Sequence, residues 1–112
     1  MQRVADLPKV EQRSIRECLR YVLESGDLER EFETRIGVME GDVRALLEAW
    51  PHVGDETDGS LASLAISNAL NEVCHGVTVK EWDRWFSVSP AVIGVAYARW
   101  RVARVPRTRG GR

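Results

Sequence analysis

Two stretches of this chain carry apolar residues in the same order fifty positions apart. Thr34 to Trp50 lies over Arg84 to Trp100, so that Ile36 meets Phe86, Val38 meets Val88, Val43 meets Ile93 and Trp50 meets Trp100. The match runs backward through Glu31-Phe32 against Glu81-Trp82 and Gly26 against Gly76. After a one-residue shift it places Ile15, Leu19 and Val22 on Ile66, Leu70 and Val73. A recurring order of this kind reads as an internal duplication. It predicts one domain of about two three-helix units, because the apolar residues recur at three- and four-residue spacing and sustained alternation is missing.

Local signals divide each unit. Pro8 is tolerated in a first turn, Ile15, Leu19, Val22 and Leu23 form a stripe, and Gly26 offers a left-handed stop, which gives a first helix from about Pro8 to Ser25. Asp27 is placed to cap a short acid-rich second helix lined by Leu28, Phe32 and Ile36 and ended by Gly37. A third helix runs from about Met39 to Trp50 with Val43, Leu46 and Leu47 inward, stopped by Pro51. Residues 51–59, with one proline and two glycines around Asp55-Glu56-Thr57-Asp58, read as a solvated linker between repeats 8–51 and 60–103. In the second unit Leu61, Leu64, Ala65, Ala69, Leu70 and Val73 recur at helical spacing up to Gly76. Thr78-Val79-Lys80-Glu81 has the form of a capping box, and Ser89-Pro90 starts a last helix reaching about Val102. Met39 stands where the second unit has Ser89, a poorer cap by something like 1 kcal/mol. The polar side made by Ser63, Ser67, Asn68 and Asn71 is either exposed or, if it faces the other unit, must find partners that fix the two together.

The charges are unevenly placed. Residues 1–98 hold 10 basic and 17 acidic residues, a charge of -7, whereas residues 99–112 hold six arginines and no acid. From Glu29 to Leu46 and from Val79 to Ala96 the arrangement resembles the helix-turn-helix of DNA-binding proteins. Phe32, Ile36, Gly37, Val38, Val43 and Leu46 fit that layout in the first copy, and Trp82, Phe86, Val88, Ile93 and Ala96 fit it in the second. Ser87 replaces the turn glycine in the second copy, and Glu33 and Asp83 replace the small buried residue of the motif's first helix. In the first copy Glu40, Asp42 and Glu48 outnumber Arg44, and phosphates would be repelled. The resemblance therefore implies nucleic-acid contact through the second copy alone, by Arg84, Arg99, Arg101, Arg104, Arg107, Arg109 and Arg112, the last of these in an arginine-rich tail over 104–112.

Catalytic and cofactor signatures are missing from the sequence. His52 and His75 stand without a nucleophile arrangement, and Cys74 and His75, adjacent on a helix, would diverge by about 100°. Cys18 and Cys74 read as buried apolar residues. Residues 55–59 lack calcium-loop spacing, and no phosphate-cradling glycine loop occurs. The longest uncharged run, Trp85 to Ala98, has 14 residues and is too short to span a bilayer, which takes about 20. With no secretory signal at the N-terminus, a cytoplasmic location is expected.

These readings predict an all-helical, non-catalytic binding protein without cofactor or metal. Its acidic face, made by Glu24, Asp27, Glu29, Glu31, Glu33, Glu40 and Asp42, would engage a basic protein by the electrostatic matching used by small acidic inhibitors. Trp85, aligned with the polar-face Arg35, is either an exposed aromatic contact for the partner or a residue packed under the neighbouring unit or its own first helix. The alternative is a nucleic-acid-binding regulator acting through the second helix pair and the tail.

Overall fold

Proline can open a helix but not sit within one, and α1 (Lys9–Glu24) begins directly after Pro8. It closes where Ser25 N–H donates to the Tyr21 carbonyl and Gly26 takes φ 81°. The computed structural model describes residues 3–104, whose secondary structure is helical, without a strand. After α1 come α2 (Phe32–Ile36), α3 (Glu40–Ala49), α4 (Leu61–Asn71), α5 (Trp82–Trp85) and α6 (Pro90–Arg104). A 3-10 turn, Glu29–Glu31, leads into α2, another, Val4–Asp6, precedes α1, and a π-helical turn, Glu72–Gly76, extends α4.

The expected stripe on α1 is buried: Ile15, Cys18, Leu19, Tyr21 and Val22 face inward. Each large apolar side chain so placed contributes about 1.5–3 kcal/mol relative to exposure. α4 lies at the centre, packed on α1, α2, α3 and α6. Its inward residues Ala62, Ala65 and Ala69 are small, which lets neighbouring backbones approach, while Ile66 and Leu70 fill the space between them. Burial agrees across the aligned pairs Ile36 and Phe86, Val43 and Ile93, and Leu46 and Ala96. The two halves also differ. Trp50 is half-buried where Trp100 is buried, α3 has 10 residues where α6 has 15, and Gly37 takes φ 87° at the turn that Ser87 occupies in the second half.

Three local expectations are corrected. The Thr78–Glu81 capping box does not form: Glu81 itself adopts φ 57°, and α5 starts one residue later as a single turn. Trp82 decides this, since its indole N–H donates to the Val88 carbonyl at 2.7 Å and its ring stacks on Phe86 with centroids 4.2 Å apart. Asp27 does not cap the second helix; its carboxylate accepts the Tyr21 hydroxyl instead. Residues 51–59 are not wholly solvated. The Trp50–Pro51 bond is cis, and Glu56, only 4% exposed, accepts the Val4 N–H at 2.8 Å while Arg3 approaches its other oxygen at 3.6 Å. That carboxylate ties the loop to the start of the chain. The last helix continues two residues past its expected end, to Arg104.

The polar side of α4 takes the second of its two expected forms. Asn68 donates to the Ile36 carbonyl at 2.8 Å, Ser67 accepts the Trp100 indole N–H at 2.8 Å, and Asn71 accepts the Tyr97 hydroxyl at 3.2 Å. One helix thus holds α2 on one side and α6 on the other.

Candidate functional site

The acidic residues fall into two groups once their partners are known. Glu24 pairs with Arg20 at 3.4 Å, Glu31 with Arg35 at 3.3 Å, Asp27 holds the Tyr21 hydroxyl, and Asp42 accepts the Met39 N–H at 3.1 Å at the start of α3. These four carboxylates serve the fold. Glu29, Glu33 and Glu40 have no ion pair among the described residues, and all three are exposed. They line one cleft of about 480 Å³ together with Arg30, Phe32, Thr34, Met39 and Gly41.

The local fold explains this convergence. Gly37 at φ 87° turns the chain between α2 and α3, so that Glu33 of α2 and Glu29 of the 3-10 turn before it stand beside the first residue of α3, Glu40. Glu40 gains from its place there, because the free amides of a helix N-terminus favour negative charge. Glu33 likewise lies in the first turn of α2. Glu29 sits at φ 37°, a backbone conformation that side chains other than glycine adopt at a cost. Met39, 58% exposed, provides the apolar surface of the cleft. The arrangement is a flexible thioether set among three carboxylates with one guanidinium, able to accept a cationic chain and to pack against its apolar part.

Trp85 does not line this cleft. It is half-buried, set edge-on against Tyr21 at 5.5 Å between centroids, with the guanidinium groups of Arg84 and Arg20 at 5.5 and 5.8 Å from its ring. Of its two expected roles Trp85 takes the packing one, between α5 and α1, with two arginines covering it. Tyr21 beneath it is 1% exposed, and its phenol is pushed up to about 12 by burial and by the neighbouring Asp27 carboxylate.

The arginines assigned to nucleic acid are dispersed. Arg84 pairs with Glu81 at 3.4 Å, Arg99 with Glu11 of α1 at 3.1 Å, and Arg101 lies over the Tyr97 ring at 5.5 Å. Arg104 closes α6, while Arg107, Arg109 and Arg112, with the rest of the expected tail, lie outside the described residues. The first helix of the second helix-turn-helix copy is the four-residue α5.

Sequence reasoning missed a second cavity, of about 360 Å³, between the π-helical turn, α5 and α6. Cys74 and His75, expected to diverge, both line it. Gly94, in the middle of an otherwise apolar helical run, was the available signal. Among the described residues no three His, Cys, Asp or Glu side chains group to hold a metal ion, and no helix is long and apolar enough to cross a membrane. The chain matches no family model, no curated protein and no solved structure with which it was compared.

Proposed function

We propose that this is a binding protein whose cleft between α2 and α3 receives a basic segment of a protein partner, with Glu29, Glu33 and Glu40 facing its cations and Met39 packing on their aliphatic stems. The observation that supports this reading is the contrast among the carboxylates. Four of the seven in the acidic face are used within the fold, and the three that are left line one cleft around an exposed methionine. Unpaired like charges held together oppose folding slightly and favour association with an opposite charge.

A basic amphipathic peptide, with arginines flanking a central leucine, tests the reading by calorimetry at two salt concentrations. Saturable binding that weakens with salt and is lost in Glu29→Gln/Glu33→Gln/Glu40→Gln supports it. Equal binding by that variant contradicts it. The rival proposal, a nucleic-acid regulator working through the second helix pair and the tail, draws on the arginine-only charge of residues 99–112. It predicts that duplex DNA binds in place of the peptide and that the triple variant binds it no less tightly.

A further inference from the structure

We propose that the cavity between the π-helical turn, α5 and α6 is a binding site for a planar aromatic anion, such as an aromatic carboxylate. Its volume, about 360 Å³, lies within the range of small-molecule sites, at the size suited to a one- or two-ring compound. The site is separate from the acidic cleft, and the proposal is independent of that reading.

The walls are aromatic and held in place. Trp82 is fixed by its stack on Phe86 and its hydrogen bond to Val88. Tyr97 is fixed by its hydroxyl on Asn71, with the His75 ring at 6.0 Å from its own. Rigid rings whose polar atoms are satisfied elsewhere offer π surface at little ordering cost. Cys74 adds a neutral wall, since burial raises its thiol above the usual value.

Charge selects the sign of the ligand. Among the described residues no aspartate or glutamate lines the cavity, and Arg101 does. Unlike Arg3, Arg20, Arg35, Arg84 and Arg99, Arg101 makes no ion pair among the described residues. Its guanidinium lies over Tyr97 at 5.5 Å, which leaves its N–H fork available to a carboxylate held beside that ring.

The space itself is kept open at a cost. Gly94 is within α6, where glycine is less stable than alanine, yet a Cβ at Gly94 would meet nothing within 4 Å. Packing therefore does not demand the glycine, and Gly94 lines the cavity. The π-helical turn adds a second irregularity, of a kind frequent at functional sites, and brings Cys74 and His75 to the same cavity.

The test is titration of the full chain with 2-naphthoate, followed by amide and indole NMR shifts, with neutral 2-naphthamide as comparator. The proposal expects saturable shifts at Gly94, Tyr97 and the Trp82 indole, and affinity about tenfold lower both for 2-naphthamide and for 2-naphthoate with Arg101→Gln. Gly94→Leu, which fills the open space, is expected to abolish binding with the circular dichroism unchanged. Should Gly94→Leu perturb the fold, the exposed Arg101→Gln carries the test alone. Shifts that do not saturate, equal affinity for the acid and the amide, or an Arg101→Gln protein that binds as the parent does would overturn the proposal.

Discussion

Asn68 and Ile36 are 32 positions apart, and the side-chain amide of the first donates to the backbone carbonyl of the second at 2.8 Å. This bond ends α2, because the last carbonyls of a helix have no partner within it. It also sets Gly37 against α4: a Cβ on Gly37 would come to 3.2 Å from the Asn68 amide nitrogen, in a backbone at φ 87°. The cleft that α2 and α3 form depends on this junction.

Asn68→Ala should therefore destabilise by roughly 1 kcal/mol, the net value of such a bond. Gly37→Ala should cost roughly 1–2 kcal/mol through its left-handed backbone. Because the two contacts share one space, the double variant should lose less than the sum. Urea denaturation of the four proteins checks all three statements, and strict additivity would show that the junction is not shared.

Arg35 makes the second tie between the halves, donating to Glu31, to Glu72 and to the Gly76 carbonyl, the last at 3.1 Å. Glu72 is largely buried, so truncating its partner strands a carboxylate. Arg35→Met is expected to cost roughly 2–4 kcal/mol, and Arg35→Met/Glu72→Met to recover much of that. Glu72 also explains Gly76, where any Cβ would fall on the same carboxylate.

The phenol of Tyr21 gives the pH dependence a defined sign. Its ordinary value near 10 rises to about 12 in the fold, through burial first and the Asp27 carboxylate next. The unfolded chain releases this proton more easily. The contribution of Tyr21 is thus fully present below about pH 10 and is lost as pH rises toward 12. Tyr21→Phe should be less stable at neutral pH by roughly 1 kcal/mol, with the gap to the parent protein narrowing over that alkaline window. A constant gap would show that the phenol is not held neutral by the fold.

Glu29 and Gly94 are both exposed, and each should be less stable than its replacement. Glu29→Gly relieves φ 37°, and Gly94→Ala adds helix propensity where a Cβ finds open space. Each should raise stability by roughly 0.5–1 kcal/mol. Thermal unfolding checks this, and a fall in either variant would contradict the assignment of strain or of open space.

Much of the architecture could be read from local chemistry. Pro8, Gly26, Gly37 and Ser89-Pro90 mark helix ends by constraints that act within a few residues, and each does so here. The capping box at Thr78 had an equally good local form and failed, because the stack of Trp82 on Phe86 and its bond to Val88 impose a different start. Glu56 looked solvated since its partners, Val4 and Arg3, lie more than fifty positions away. The acidic face was visible as composition. Its division into carboxylates used by the fold and carboxylates left to the cleft was not, because the pairing of Asp27 with Tyr21 and the reach of Asp42 back to Met39 are matters of geometry. Arg99, within the expected last helix, pairs with Glu11 of α1, a partner 88 positions away that no local signal marks.

The most direct test of the acidic cleft is a chemical-shift map of the full chain titrated separately with the basic amphipathic peptide and with duplex DNA. The account predicts that the peptide shifts the amides of Glu29, Glu33, Met39, Glu40 and Gly41 and that these shifts vanish in the triple glutamine variant. Peptide shifts spread elsewhere, or a response to DNA alone centred on Arg99 and Arg101, would contradict it.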